Sequence, residues 1–371
     1  MIRSLFIAIA MFVPFLKPWA SELKNSASIG LDTYADNGDV EVYSPTFSLM
    51  KTISKEWLVG IKMRIDAIAS ASIRNGGRPG IPDAVAGASG RSDDFDDMRY
   101  APTFLVAYDD GINSIGGGFY YSTEKDYEGR SLFAHYVRQL NEGNTALGIS
   151  FSKASDTWDP VFDRTLPMSY RNEFKMDLSV NQLLTPDTSV QFVYSYIDSE
   201  GFLASPYHYV IQNDLARFER YPDRRKAHAF ALKAMHYLDE NNALNGSYRY
   251  YTDDWKIDSH TFELEWLHDL SDTLMVGLRG RYYTQTGSFF AKAIDGYINN
   301  DPYFAADYRM SAFKSYDIGV PVRYKTSQES PYTFSFSVDY YRTSDNAYIQ
   351  RWYGKPSLEA FYTTIRVDFE F

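Results

Sequence analysis

The run from Tyr248 to Thr261 holds the densest set of side chains able to do chemistry. Asp253, Asp254 and Asp258 bring carboxylates close together in sequence, and His260 follows directly. His260 could join these carboxylates as a ligand to a metal ion. The competing reading is a charged, solvated hairpin around Trp255 whose aspartates bond turn amides. Asp93, Asp94, Asp96 and Asp97 form a second acidic cluster. They offer a structural Ca2+ site in an outer loop, although the spacing is not that of an EF-hand. A surface hydrolase would set a histidine beside a serine or aspartate, and only His260, with Ser259 and Asp258, comes near that pattern. GxSxG, HExxH, CxxC and Gly-rich phosphate loops are all missing, so the motifs predict no enzyme and no cofactor beyond that calcium.

Those residues sit in a chain built on a period of two. In 257–270, Phe262, Leu264 and Trp266 alternate with Thr261, Glu263 and Glu265. In 273–286, Leu274, Val276, Leu278 and Tyr282 oppose Arg279, Arg281 and Tyr283; in 312–326, Tyr316, Ile318 and Val320 oppose Asp317 and Arg323. The last stretch sets Phe361, Ile365, Val367 and Phe369 against Thr364, Arg366 and Asp368. Soluble sandwiches alternate too, but here charges of both signs stand at mid-strand. A charge facing lipid at the bilayer midplane costs about 2–4 kcal/mol. The apolar set is therefore expected to face lipid, and Arg249, Glu263, Glu265, Arg279, Arg281, Asp317, Arg323, Arg366 and Asp368 to line a lumen.

The fold class that follows is all-β: an antiparallel up-and-down transmembrane barrel of about 16 strands, with 14 to 18 possible, estimated from segments of the length a tilted strand needs. The segments are 25–36, 40–53, 56–68, 99–108, 113–123, 128–140, 145–155, 173–184, 188–199, 226–238, 243–255, 257–270, 273–286, 312–326, 332–343 and 358–371. Short turns follow the even segments and the long loops follow odd ones, the arrangement of barrels with short periplasmic turns and long outer loops. An even count puts both termini in the periplasm. The chain has 31 Tyr and 25 Phe, which suits the aromatic girdles of such barrels, and no Cys, which excludes disulfides and Cys-ligated clusters. A net charge of −11 argues against nucleic acid as a partner. His228, His236 and His268 share the lipid-facing parity near strand ends and read as interfacial belts.

Residues 1–20 read as a signal peptide, with Arg3 before an apolar run too short to span a membrane. Residues 21–371 then form one barrel domain. The loop between Ala69 and Met98 is long enough to fold inward and narrow a pore. The chain ends on an alternating strand closed by Phe371, as outer-membrane barrels of Gram-negative bacteria usually end, and this resemblance implies that the barrel assembly machinery reads Phe371.

Three stretches carry a more specific resemblance: Tyr248 to Trp266, Asp66 to Ser72 with Ser89 to Asp94, and Tyr121 to Tyr127. They resemble an uncharacterised proteobacterial outer-membrane family, domain of unknown function 3570. Its members are often encoded beside thioredoxin-like and flavin-transferase proteins, which implies an envelope redox context. The sequence thus predicts a passive, porin-like channel for small hydrophilic solutes, in contact with outer-membrane lipid and lipopolysaccharide. The alternative is a barrel sheath for a periplasmic or surface redox or secretion partner; a hydrolase comes third.

Overall fold

In the computed structural model the described residues are 24–38, 40–70, 97–159, 168–204, 209–212, 215–292, 297, 301–327 and 329–371. The expected signal peptide and Asp93, Asp94 and Asp96 lie outside them. Sixteen antiparallel strands form one closed barrel. The first nine are β1 (Ser26–Asp36), β2 (Val40–Thr52), β3 (Trp57–Ser70), β4 (Asp97–Asp109), β5 (Asn113–Thr123), β6 (Tyr127–Leu140), β7 (Thr145–Trp158), β8 (Ser169–Thr185) and β9 (Thr188–Gly201). A two-stranded hairpin, β10 (Tyr209–Gln212) and β11 (Leu215–Phe218), interrupts the order without joining the barrel. The wall resumes with β12 (Arg224–Asp239), β13 (Asn242–Asp253), β14 (Asp258–Ser271), β15 (Leu274–Gln285), β16 (Phe313–Lys325), β17 (Tyr332–Thr343) and β18 (Glu359–Glu370). Each of the sixteen sequence segments falls on one of these barrel strands.

Closure comes from β18 pairing with β1, from Ser26 opposite Glu370 to Asp36 opposite Ala360. The closed barrel leaves none of its own strand edges open, so the ladder amides bond within the sheet, as a lipid environment requires. Lys24 and Glu370 form an ion pair of 3.0 Å, so both described termini lie at the short-turn end.

The alternation sorts the two faces. Phe262, Leu264, Trp266, Leu278, Tyr316, Ile318, Phe361 and Ile365 are all exposed on the outside, Leu264 to 55%. The register sets Glu263 opposite Arg281 and Arg281 opposite Asp317, on the opposite parity.

The long-loop end departs from the expectation of plain loops. Strands run beyond the expected boundaries there: β7 reaches Trp158 and β8 begins at Ser169, because Trp158 still pairs with Ser169. The connection after β17 contains helix α1 (Ala347–Tyr353), whose amides of Tyr348 and Ile349 bond the Asn346 side chain. Gly354 ends it in the left-handed region at φ 67°, where a residue without Cβ fits at no cost. A 3-10 turn, Tyr308–Met310, opens with Asp307 accepting the Arg309 amide.

Candidate lumen and outer mouth

Opposite charges on neighbouring inward positions of the wall bond to one another. Arg64 reaches Asp32 on β1 (2.8 Å) and Asp66 on its own strand (2.7 Å), and Arg99 on β4 bonds the other oxygen of Asp66 (2.7 Å). On β8, Lys175 meets Asp177 at 2.9 Å, and Asp177 also accepts from Ser150 and Ser195. On the far wall Arg279 bonds Asp339 (2.5 Å) and approaches Glu265 (3.9 Å), which accepts from Asn245. Each pair satisfies charges that would otherwise stand partly desolvated inside the wall.

The nine residues expected to line the lumen all occupy the parity opposite the exposed apolar set. Arg249 lies 5.3 Å from the Tyr251 ring and Arg281 lies 5.8 Å from that of Tyr283. Arg323 pairs with Ser335, Arg366 with Gly30 and Asp368 with Ser28, closer to the short-turn end. The sequence reading misses the opposite wall: Lys62, Arg64 and Asp66 alternate with Ile61, Met63 and Ile65 and carry the same signal. Asp339, the partner of Arg279, is missed as well.

The outer hairpin residues do not converge. Asp253 turns inward, where Arg225 (2.8 Å), the Tyr251 hydroxyl (2.8 Å) and the Ile257 amide (3.0 Å) all donate to it. Trp255 is buried, its indole donating to the Arg224 carbonyl (2.9 Å) while the Arg225 guanidinium stacks over its ring. Asp254 accepts the Lys226 amide (3.1 Å). Asp258 instead takes a bond from Tyr250 (3.0 Å), and His260 bonds Tyr248 (2.8 Å). Ser259 is buried on the inward parity and His260 is outward, as adjacent strand residues must be. No cluster of three metal-ligating side chains forms among the described residues. Asp97 begins β4, opposite Ile68. Phe371 follows β18; its amide bonds Asn25 (3.1 Å) and its ring stacks on Phe369 at 5.3 Å.

Among the described residues the largest cluster of buried apolar side chains is at the long-loop end, the mouth. Phe290, Ala305, Met310 and Leu203 from the loops pack on the inward residues Ile197, Ala227, Ala229 and Tyr251 and on Trp255 and Ile257. A second cluster joins Val210, Tyr297, Phe304 and Ala306. Arg220 and Phe304 exchange both backbone hydrogen bonds, at 3.0 and 2.9 Å, tying the loop after β9 to the loop after β15. Glu219, 3% exposed, is the latch between them. It accepts the amides of Ala306 (2.6 Å) and Asp307 (2.8 Å) and the Tyr221 hydroxyl (2.7 Å). Burial, reinforced by the Glu219 carboxylate, pushes the Tyr221 phenol well above its ordinary range, so it remains a donor. Gln285 on the wall donates to the carbonyls of Arg309 (2.8 Å) and Ser311 (2.7 Å), which fixes the loop to β15. The loop after β17 joins through Asn346, which donates to the Ser311 hydroxyl (2.8 Å), and through Tyr348, which donates to the Lys292 carbonyl.

The chain is similar to several solved structures. A bacterial polysaccharide outer membrane secretin superposes with a TM-score of 0.55 at 8% identity, covering 95% of this chain and 100% of its own. The CymD monoaromatic hydrocarbon channel gives 0.43 at 10% identity, covering 95% and 89%, and the siderophore receptor PirA from Pseudomonas aeruginosa 0.47 at 8%, covering 88% and 57%. The likeness to the secretin, at 8% identity, shows the fold alone, a closed antiparallel β-barrel. No curated protein matches the chain. Residues 15–369 match the family of proteins of unknown function DUF3570, and the chain belongs to that family.

Proposed function

We propose that the protein is an outer-membrane channel for passive passage of small hydrophilic solutes, with outer loops that narrow its mouth. The observation that carries this reading is the continuous inward face of charged and hydroxyl side chains, running around the wall from Asp32 and Arg64 to Arg279 and Asp339. Such a face is costly to form unless water meets it. Rings of charged side chains tune which ions pass. The long loops face the cell exterior in this reading and the termini the periplasm. A structural Ca2+ in the outer loops is compatible with it and is not needed by it.

The test is reconstitution into planar bilayers. The protein alone is expected to conduct. Arg279→Gln with Arg281→Gln leaves Glu265, Glu263, Asp317 and Asp339 without their cationic neighbours, and selectivity is expected to move toward cations. Measurable conductance with unchanged selectivity would remove the lining role. The sheath reading predicts poor conductance alone and a stoichiometric haem- or flavin-bearing partner in native complexes purified from outer membranes. The mouth loops occupy inward-facing space that a threaded partner would need, which favours the channel.

A further inference from the structure

The lipid-facing side of four consecutive wall strands carries one side-chain arrangement twice. In the first copy, on β9 and β12, His228 stands opposite Tyr196 and its Nδ1 bonds the hydroxyl of Tyr194, 2.9 Å away. In the second, on β13 and β14, His260 stands opposite Tyr250 and its Nδ1 bonds the hydroxyl of Tyr248, 2.8 Å away. The imidazole leans on the opposite tyrosine at 5.4 and 5.2 Å between ring centres. That tyrosine donates in each copy to a carboxylate at the rim, Asp198 (3.3 Å) or Asp258 (3.0 Å). A phenylalanine two residues deeper, Phe230 or Phe262, packs on Tyr194 or Tyr248 at 5.2 and 4.8 Å.

The hydrogen-bond partners favour one tautomer of each ring. The hydroxyls of Tyr194 and Tyr248 have no other acceptor among the described residues, so the tautomer that leaves no hydroxyl proton unpaired is the one in which they donate to Nδ1. The proton then sits on Nε2, and in the cationic ring Nε2 carries one as well. Either way each ring holds an Nε2–H donor fixed at the edge of the apolar band with no protein acceptor among the described residues. A buried donor without an acceptor is costly, and at the edge of the apolar band a lipid headgroup or interfacial water can supply one.

The opposite end of the same strands behaves differently. His236 and His268 lie eight residues beyond His228 and His260 on β12 and β14. At about 3.3 Å per residue and a tilt of about 40°, that spacing is about 20 Å along the membrane normal, close to the height of a barrel's apolar band. The histidines therefore bracket the band. His268 bonds Asn242 Oδ1 at 3.0 Å, and that oxygen also accepts from the Trp266 indole, so His268 Nδ1 is the donor and its Nε2 is an acceptor when neutral. The long-loop histidines stand beside exposed Lys226, Lys256 and Arg224, the last in an ion pair with Asp198 at 2.7 Å, whereas His236 bonds the Thr188 hydroxyl and His268 bonds Asn242.

We propose that the paired tyrosine–histidine arrangements bind the phosphates of a bisphosphorylated glycolipid headgroup in the outer leaflet. The two rings are separated by two strand spacings and an offset of two residues, about 12 Å. That span suits phosphates at opposite ends of one disaccharide headgroup. The proposal rests on the reading that the long loops face outside.

The test uses the full barrel in nanodiscs containing bisphosphoryl lipid A, monophosphoryl lipid A or phosphatidylglycerol, with bound lipid measured by native mass spectrometry. His228→Phe with His260→Phe keeps the rings and removes the donors, and is expected to weaken bisphosphoryl lipid A retention about tenfold. His236→Phe with His268→Phe is the control and is expected to change nothing. Tyr194→Phe with Tyr248→Phe frees the tautomer without touching the histidines and is expected to give a smaller loss. Undiminished retention in the first variant, an equal loss in the control, or a change of oligomeric state with lipid binding intact would each overturn the proposal. Nanodiscs have no sidedness, so the orientation is checked separately by protease access to a loop tag in cells.

Discussion

The two ends of this barrel solve the same problem, a ring of strand termini, in opposite ways. At the short-turn end the turns are closed by bonds within each turn and by bonds to the adjacent strand. Asp110 alone accepts the amides of Ile112 (2.9 Å) and Asn113 (2.6 Å), and Asp239 does the same for its turn through Asn241 (2.8 Å). At the mouth, satisfaction is long-range. Glu219 serves amides from residues 306 and 307, and Asn346 serves a hydroxyl at residue 311. The turn end is a set of local solutions, each linked only to its neighbours on the wall, so loss of one is expected to leave the distant ones. The mouth is a single cross-braced body, where Ile349 is fully buried and removal of one brace uncovers several groups at once.

The strongest way to break that contrast is Glu219→Ala. It strips the acceptor from two backbone amides and the Tyr221 hydroxyl, each a loss of about 1–3 kcal/mol when buried. The mouth loops are expected to detach, raising single-channel conductance and opening the chain near Arg220 to trypsin. Heat-modifiable migration of the barrel on gels should persist. Unchanged conductance and protease resistance would show that the latch is dispensable. The absence of native cysteine permits the converse experiment. Arg220→Cys with Phe304→Cys joins a hydrogen-bonded antiparallel pair, whose usual Cα separation of about 5.5 Å lies within the disulfide range. Oxidation should suppress conductance fluctuations and reduction restore them.

A smaller effect is expected inside the lumen. Asp339→Asn removes the carboxylate bonded to Arg279 and leaves it Glu265 at 3.9 Å, with Glu263 and Asp317 further off. Selectivity should move toward anions, opposite in sign to the arginine variants, with unitary conductance nearly unchanged. A shift of the same sign in both would mean that fold damage, not lumen charge, is being measured.

How far the sequence can be read follows the same division. The strands are legible because a period of two with charges confined to one parity fits a barrel wall and little else, and 261–266 displays it without a break. The tight turns are legible because their polar side chains bond within three residues. The mouth is not. Glu219 acts on amides 87 and 88 residues away, a relation that no local pattern encodes. Helix α1 has its cap at Asn346 and its glycine stop at Gly354, but seven residues are too few to show a helical period. The candidate metal set at Asp253, Asp258 and His260 is compact in sequence but not in space, because the strand sends Asp253 to one face and His260 to the other.

The cap gives a test of intermediate size. Asn346→Ala removes the acceptor for Tyr348 and Ile349 and the donor to Ser311, and loss of such a cap costs about 0.5–2 kcal/mol. Hydrogen exchange in Ala347–Tyr353 should accelerate while exchange in β17 and β18 stays slow. Acceleration across all three would show that α1 is continuous with the wall and not a brace laid on it.

The smallest effect belongs to the turn end, and it is one of pH. Hydrogen bonds from the Asn113 backbone and side chain, and from the Ile112 amide, hold the exposed Asp110 carboxyl below its ordinary range. A carboxylate whose folded pKa is depressed contributes its stability above the unfolded value, and that contribution is lost as pH falls through the folded one. The turn is therefore expected to loosen only under acid, below the ordinary aspartate range near 4. A carboxyl carbon titration of Asp110 by NMR in detergent should show a midpoint below that range, and Asn113→Ala should move it upward. Because the turn is a local solution, neither change should alter conductance or the protease pattern at the mouth. A mouth that opened when Asp110 was protonated would tie the two ends together and contradict their independence.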